Sequence, residues 1–113
     1  NLDVPATIAE LAGVRPGLPQ DGRSLVPSLE GDVDRWRHAF VVEFLGYAPG
    51  IPAYSGIRTE RYLYVEYRDR SRELYDLPAD PFELENLLAH GRRAPPGDLI
   101  ERLREQMRRM IAA

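Results

Sequence analysis

Five carboxylates crowd into the stretch ELYDLPADPFELENL: Glu73, Asp76, Asp80, Glu83 and Glu85. Carboxylates at this density suit ligation of a hard cation or paired acid/base work. The spacing is not that of a calcium-binding EF-hand loop, and no glycine stands where such a loop turns sharply. Asp80, Pro81 and Glu83 instead match the N-cap, N1 and N3 positions of a helix, a capping box. That reading accounts for Asp80 and Glu83 without a metal. It predicts a helix from Pro81 with Leu84, Leu87 and Leu88 turned inward. His38 and His90 are far apart and lack the spacing that puts two ligands on one helix face. The serines, Ser24, Ser28, Ser55 and Ser71, lie in polar or Gly/Pro-flanked turns, none in a G-x-S-x-G elbow. The string DGRSL follows no predicted strand and has no lysine, so it is not a phosphate loop. These residues assemble no catalytic set and no metal set. The Gly/Pro loop GYAPGIPAYS is more open to function, because loops carry binding residues. It makes Tyr47 and Tyr54 candidates for substrate binding. Tyr62, Tyr64, Tyr67 and Tyr75 suit either ring stacking on a ligand or cross-strand packing.

Composition narrows the choices further. The chain has 113 residues, 43% hydrophobic and 29% charged, with a formal net charge of -3. Such a chain folds as a soluble globular protein and is not a generic nucleic-acid binder. No apolar run is long enough to span a membrane. There is no cysteine, which excludes disulfides, thiolate metal sites and a thiol nucleophile. All 15 basic residues are arginine, so no lysine base or Schiff base exists. The arginine bias has two readings, GC-rich coding or selection for bidentate anion contacts.

The elements that would position these residues read as α+β. LDVPATIAELAG predicts a short helix with Asp3 at the N-cap, Pro5 in the first turn and Gly13 ending it. Val4, Ile8 and Leu11 fall on one face. A Pro/Gly-rich stretch follows, with at most one helical turn around Ser24–Leu29. Ala39–Leu45 reads as a strand. Gly56–Tyr67 reads as two strands with a tight turn near Thr59–Arg61. Arg68–Ser71 is a hairpin turn and Arg72–Leu77 a fourth strand. Such short connections require antiparallel pairing. The segment HGRRAPPG breaks the chain again. Asp98 and Glu101 repeat the capping-box pattern and open a last helix, Leu99 to Ile111, with Leu99, Leu103, Met107 and Met110 on its apolar side. The expected organisation is residues 1–34, helix and linker, followed by 35–113, a four-stranded antiparallel sheet packed with the C-terminal helix.

Read in order, LDVPATIAELAGV, DGRSLVPSLEG, WRHAFVVEF, YSGIRTERYLYVEY and ELYDLPADPFELENL resemble the C-terminal portion of type I sulfatases, in the alkaline-phosphatase superfamily. The YVEY form is most similar to the arylsulfatase and N-acetylglucosamine-6-sulfatase-like branch. Two positions depart from the family pattern: Ala6 stands where proline is common, and Leu63 where many members have lysine. The resemblance implies a C-terminal subdomain whose full-length form hydrolyses sulfate esters, with a formylglycine made in a C/S-x-P-x-R motif and a calcium ion. No such motif is present, so the resemblance carries no catalytic residue, cofactor or metal ligand onto this chain. It implies a partner, the sulfatase catalytic domain, and a subdomain that helps to wall the substrate cleft and stabilise the enzyme. The alternatives are a stand-alone binding or interaction module, or the same subdomain of a phosphonate or phosphate monoester hydrolase. Without the catalytic domain, Val4, Ile8 and Leu11 would have no cover, which predicts a homodimer through the N-terminal helix.

Overall fold

The structure is a computed structural model that describes residues 2–32, 36–47, 49–90, 95 and 97–112. The chain divides into two compact units, Asn1–Arg37 and His38–Ala113. The boundary expected between residues 34 and 35, and most of the break at 90–97, lie outside the described residues.

The first unit contains helix α1, Asp3–Leu11, and the single-turn helix α2, Val26–Leu29. Asp3 is the first residue of α1 and not its N-cap; Leu2 takes the cap position without a side-chain bond. The Asp3 carboxylate has other partners. It accepts the Arg23 backbone N–H at 2.8 Å and the Arg37 guanidinium at 2.5 Å. These bonds, the Arg23 N–H foremost, hold its carboxyl below the usual aspartate value against the opposing effect of burial. Thr7 ties the same elements from its buried position, donating to the Asp3 carbonyl at 2.7 Å and accepting the Leu25 N–H at 2.9 Å. Gly13 ends α1 as expected, with φ of 65°. The Pro/Gly-rich stretch is not a slack tether. A Cβ on Gly22 would sit 1.8 Å from the Leu2 carbonyl oxygen, so only glycine lets the loop press on the start of α1. Val4, Ile8 and Leu11 are exposed, as are Leu2 and Val14.

The second unit is an antiparallel sheet, strand order β1-β2-β3-β4, with β1 at Ala39–Phe44, β2 at Tyr54–Thr59, β3 at Tyr62–Tyr67 and β4 at Arg72–Asp76. The last helix, α3, spans Leu99–Ile111. Period-two alternation sorts the side chains onto two faces. The row Val41–Ile57–Tyr64–Leu74 lies on one of them. Ile57, Tyr64 and Leu74 are fully buried there, in one core with Leu99, Leu103 and Met107 of α3. Met110, expected on the apolar side of α3, is 38% exposed, because the helix runs past the edge of the core.

Two capping expectations fail. Residues 81–88 form turns and irregular chain, not a helix. Glu83 has φ of 56°, which breaks helical propagation, and its carboxylate pairs with Arg58 at 2.6 Å instead of closing a capping box. The polar groups that would have served a helix bind β4. The Asn86 side chain accepts the Leu74 N–H at 3.1 Å and donates to the Arg72 carbonyl at 3.2 Å, and the Leu87 N–H donates to the Leu74 carbonyl at 2.8 Å. The segment is a strap along the edge of β4. Asp80 still acts locally, its carboxylate accepting the Glu85 N–H at 2.7 Å. At α3, Asp98 takes the N-cap position, but its side chain caps no backbone N–H; its carboxylate pairs with Arg102 one turn on.

Candidate functional site

The sheet face opposite α3 carries the cross-strand row Phe44–Tyr54–Tyr67, set by the pairing of Phe44 with Tyr54 and of Tyr54 with Tyr67. The rings meet at centroid distances of 5.8 Å and 5.5 Å. Tyr47 extends the row from the loop after β1, its ring 5.1 Å from Phe44 in an edge-on arrangement. Such distances are those of favourable aromatic pairs. Of the two binding candidates, Tyr54 is half-buried in the middle of the row, while Tyr47 is 79% exposed at its end. The row borders a depression at the end of the sheet, lined also by Ser55, Glu66 and Met107. Gly56 stands next to it in β2. A Cβ there would fall 2.8 Å from the Tyr64 carbonyl oxygen and 2.9 Å from a methyl of Val42, so glycine is needed for close pairing.

The polar groups around the sheet form two networks. On the α3 side, the buried Tyr64 hydroxyl donates to Glu66 at 2.6 Å, and Arg104 of α3 donates to the same carboxylate oxygen at 2.5 Å. Burial opposes the charge of Glu66, but these two donors outweigh it and hold its carboxyl below the ordinary value. On the other face, Tyr75 donates to Glu73 at 3.1 Å. Burial first, then the Glu73 charge, pushes the Tyr75 hydroxyl up to about 12 and raises that of Tyr67 as well. The Arg58–Glu83 pair borders this group.

The carboxylates of 73–85 do not converge. Glu73 serves Tyr75, Asp76 pairs with Arg61 at 3.0 Å, Asp80 holds a turn and Glu83 holds Arg58. Among the described residues no group of three or more His, Asp or Glu side chains could hold a metal. His38 pairs with Glu60 at 2.7 Å on an exposed surface. What the arrangement offers is a contact surface of aromatic rings, hydroxyls and bonded charges; its serine–carboxylate contacts, Ser55 to Glu43 at 3.2 Å and Ser71 to Asp69 at 2.6 Å, are exposed.

A family model described as N-sulphoglucosamine sulphohydrolase, C-terminal, matches residues 1–113. The chain belongs to this family. A choline-sulfatase from Rhizobium meliloti (strain 1021) is 40% identical over 97 residues, covering 81% of this chain and 18% of its own length. A Delta 4,5-hexuronate-2-O-sulfatase from Bacteroides thetaiotaomicron is 34% identical over 94 residues, with 76% and 18% covered. Among solved structures, a protein in complex with its substrate D-glucosamine-2-N,6-O-disulfate superposes with a TM-score of 0.70 at 27% identity, covering 97% of this chain and 22% of that one. The phosphonate monoester hydrolase of Agrobacterium radiobacter gives a TM-score of 0.72 at 29% identity, with 97% and 24% covered. The chain therefore spans about a fifth of the length of these relatives. The sulfatase resemblance read from the ordered strings is borne out.

Against this family background, sequence reasoning named Tyr54 as a binding candidate and Tyr67 as a possible stacking ring without placing them side by side, and it missed their neighbour Phe44. Period-two alternation puts Phe44, Tyr54 and Tyr67 on one face once the register is known, but no residue pattern within a single strand shows which residues lie opposite. It missed the Glu66–Arg104 bond for the same reason. The two residues are distant in the chain, and only the docking of α3 brings them together.

Proposed function

We propose that this chain is the C-terminal subdomain of an enzyme that hydrolyses sulfate esters, and that the Tyr47–Phe44–Tyr54–Tyr67 row walls part of its substrate cleft. The family match over the whole chain carries this reading, and the ring row supplies the contact surface. The YVEY string supports the arylsulfatase and N-acetylglucosamine-6-sulfatase-like branch within it. Calcium and formylglycine belong to the full-length reaction. Neither fits the residues present, which include no C/S-x-P-x-R string and, among those described, no metal-holding group. The expected outcome for the chain alone is no turnover of an aryl sulfate, with or without calcium. A chimera of the choline-sulfatase carrying this chain in place of its matching segment tests the wall. Tyr54→Ala in that chimera should raise KM with kcat little changed; an unchanged KM at retained thermal stability rejects it.

A second reading is favoured by the phosphonate monoester hydrolase likeness. Under it the parent cleaves phosphonate or phosphate monoesters, and assays of the parent with paired aryl sulfate and aryl phosphonate substrates separate the two.

The same proposal covers assembly. The parent's catalytic domain is the partner expected to cover α1, and in its absence the exposed Leu2, Val4, Ile8 and Leu11 favour a two-fold dimer of this chain through α1. Light scattering should show the dimer in the intact chain and a monomer after Ile8→Glu. A monomeric intact chain at high micromolar concentration rejects the dimer. No helix among the described residues is long and apolar enough to cross a membrane.

A further inference from the structure

The two edges of the sheet are finished differently. Backbone bonding groups alternate in direction along an antiparallel strand, so one bond fixes which residues face which neighbour. The Arg68 N–H donates to the Ala53 carbonyl at 2.8 Å, where β3 ends and β2 begins. Alternation from that pair turns the backbone groups of Ser55, Ile57 and Thr59 toward β3, and those of Tyr54, Gly56 and Arg58 toward β1. The partners of the latter are Phe44, Val42 and Phe40, which leaves the N–H and C=O of Ala39, Val41 and Glu43 pointing out of the sheet. At the other edge, the Tyr67 N–H donates to the Ser71 carbonyl at 3.0 Å, and the same alternation turns Arg72, Leu74 and Asp76 outward. Those groups are taken. The strap bonds the Arg72 carbonyl and both backbone groups of Leu74, and the Asp76 carbonyl accepts the Ala79 and Asp80 N–H groups at 3.0 and 2.8 Å. Among the described residues no such bond reaches the outward groups of β1, which packs only on β2 and α3.

The sequence does not blunt the open edge. Exposed edge strands are usually guarded by lysine, proline or a bulge, which discourage another strand from adding. AFVVEF has no lysine or proline, and its register with β2 is unbroken. Five of its six residues are Ala, Phe or Val, and Glu43 is its one charge. Phe and Val favour strands, and a short run of them with little charge is the composition that adds edge to edge.

We propose that β1 pairs with β1 of a second copy, antiparallel about a two-fold axis through Val41. This register sets Val41 against the partner's Val41 and Ala39 against the partner's Glu43, so that all six outward groups are bonded at once. A shift of two residues either way carries one of the three residues past the end of the partner strand. The register also keeps the two Glu43 carboxylates roughly 14 Å apart, where salt screens their repulsion, and puts a small alanine opposite each. A second copy is favoured as the occupant because β1 is its own complement in length, bonding groups and charge. The contact stands on the sheet alone and rests neither on α1 nor on the ester that the parent cleaves. Its six backbone bonds bury little area, so it is weaker than a standard interface and half-formed only toward millimolar concentration.

The test uses the whole chain carrying Ile8→Glu, which removes the α1 contact, followed by nuclear magnetic resonance from micromolar to millimolar concentration. The expected result is a set of saturating shifts at residues 39–44. Exchange of the Ala39, Val41 and Glu43 amides should slow about twofold or more at the highest concentration, with Phe40, Val42 and Phe44 unaffected. In a mixture of labelled and unlabelled chains, an isotope-filtered contact between the α-protons of Phe40 and the partner's Val42 is expected, because these form a non-hydrogen-bonded pair in the proposed register. Val41→Pro removes only an outward N–H, at a place where an edge strand accepts proline. It should keep the fold and abolish the concentration dependence; if it unfolds, the Phe40 contact in the Ile8→Glu chain decides alone. No concentration dependence, shifts confined to other residues, or persistence in folded Val41→Pro overturns the pairing. A dimer that survives Ile8→Glu and is broken by Val41→Pro supports β1 and rejects α1; one that survives both overturns β1 as well.

Discussion

The two faces of one sheet handle tyrosine in opposite ways. On the α3 side Tyr64 is fully buried, and its hydroxyl is satisfied by Glu66, which Arg104 then neutralises. On the other face Tyr54, Tyr67 and Tyr75 remain half-buried, and the hydroxyls of Tyr67 and Tyr75 share the influence of one carboxylate, Glu73. The first arrangement is a closed network inside a core, where an unpaired polar group costs most. The second leaves rings and hydroxyls within reach of solvent. Alternation along β3 alone separates them, since Tyr64 and Tyr67 are three residues apart and therefore point to opposite faces. The difference sets a closed, satisfied network on one face against an open, half-buried one on the other.

Substitutions should reproduce that division. The largest effect is expected at Leu74, fully buried against α3. Leu74→Ala should cost about 2–5 kcal/mol in denaturant unfolding, whereas Phe40→Ala, on the other face and 42% exposed, should cost far less. Equal losses would erase the distinction. Next comes the closed network. Glu66→Ala leaves the Tyr64 hydroxyl buried without its acceptor and should cost about 1–3 kcal/mol. It should also change the response to acid. The Glu66 carboxyl lies below its ordinary value in the folded chain, so its contribution is complete above the unfolded value of about 4.3 and disappears as pH falls through the folded value. Asp3 acts in the same direction. Thermal melts between neutral pH and pH 3 should therefore show a shallower acid loss in Glu66→Ala than in the parent chain.

The four strands and α3 were legible because their signals are local: alternation of apolar residues in Tyr62–Tyr67, short polar turns at 60–61 and 68–71, and a helical stripe through Leu99, Leu103 and Met107. The strap at 81–88 was not. Asp80, Pro81 and Glu83 carry the residues of a capping box, and nothing local shows that Asn86 will bond the edge of β4 instead. Long-range hydrogen bonding overrode a local helix signal there, as tertiary context often does. Tyr54 was legible as a binding candidate from its Gly/Pro loop, but the row that gives it company depends on register and the Glu66–Arg104 bond depends on α3 docking. Asn86→Ala tests the strap. It removes the bonds to Leu74 and Arg72, and a loss of about 0.5–1.5 kcal/mol is expected per net bond. Hydrogen exchange should quicken at the Leu74 amide and stay unchanged at Ile57 in the sheet interior. Unchanged exchange at Leu74 would show that the strap does not hold β4.

The smallest effect on stability should come from the open face, at Glu73. Its carboxylate accepts the Tyr75 hydroxyl at the rim of the sheet, and removing its charge leaves both tyrosines access to water. Glu73→Gln should change unfolding free energy by less than about 0.5 kcal/mol, yet it should be plain in an alkaline titration followed by tyrosinate absorbance. Burial and then the Glu73 charge raise the Tyr75 hydroxyl to about 12, so in the parent chain that ring should ionise well after an exposed tyrosine. A folded value above the unfolded one, about 10, means the contribution is full below pH 10 and falls as pH rises through 12. In Glu73→Gln the late step should move down, though not to the ordinary value, because burial remains. Tyr64 supplies the internal reference: its hydroxyl is also raised, by burial first and then by Glu66, and Glu73→Gln should leave it in place. If the substitution moved Tyr64 and spared Tyr75, the two faces would be electrostatically joined and the division of labour between them would fail.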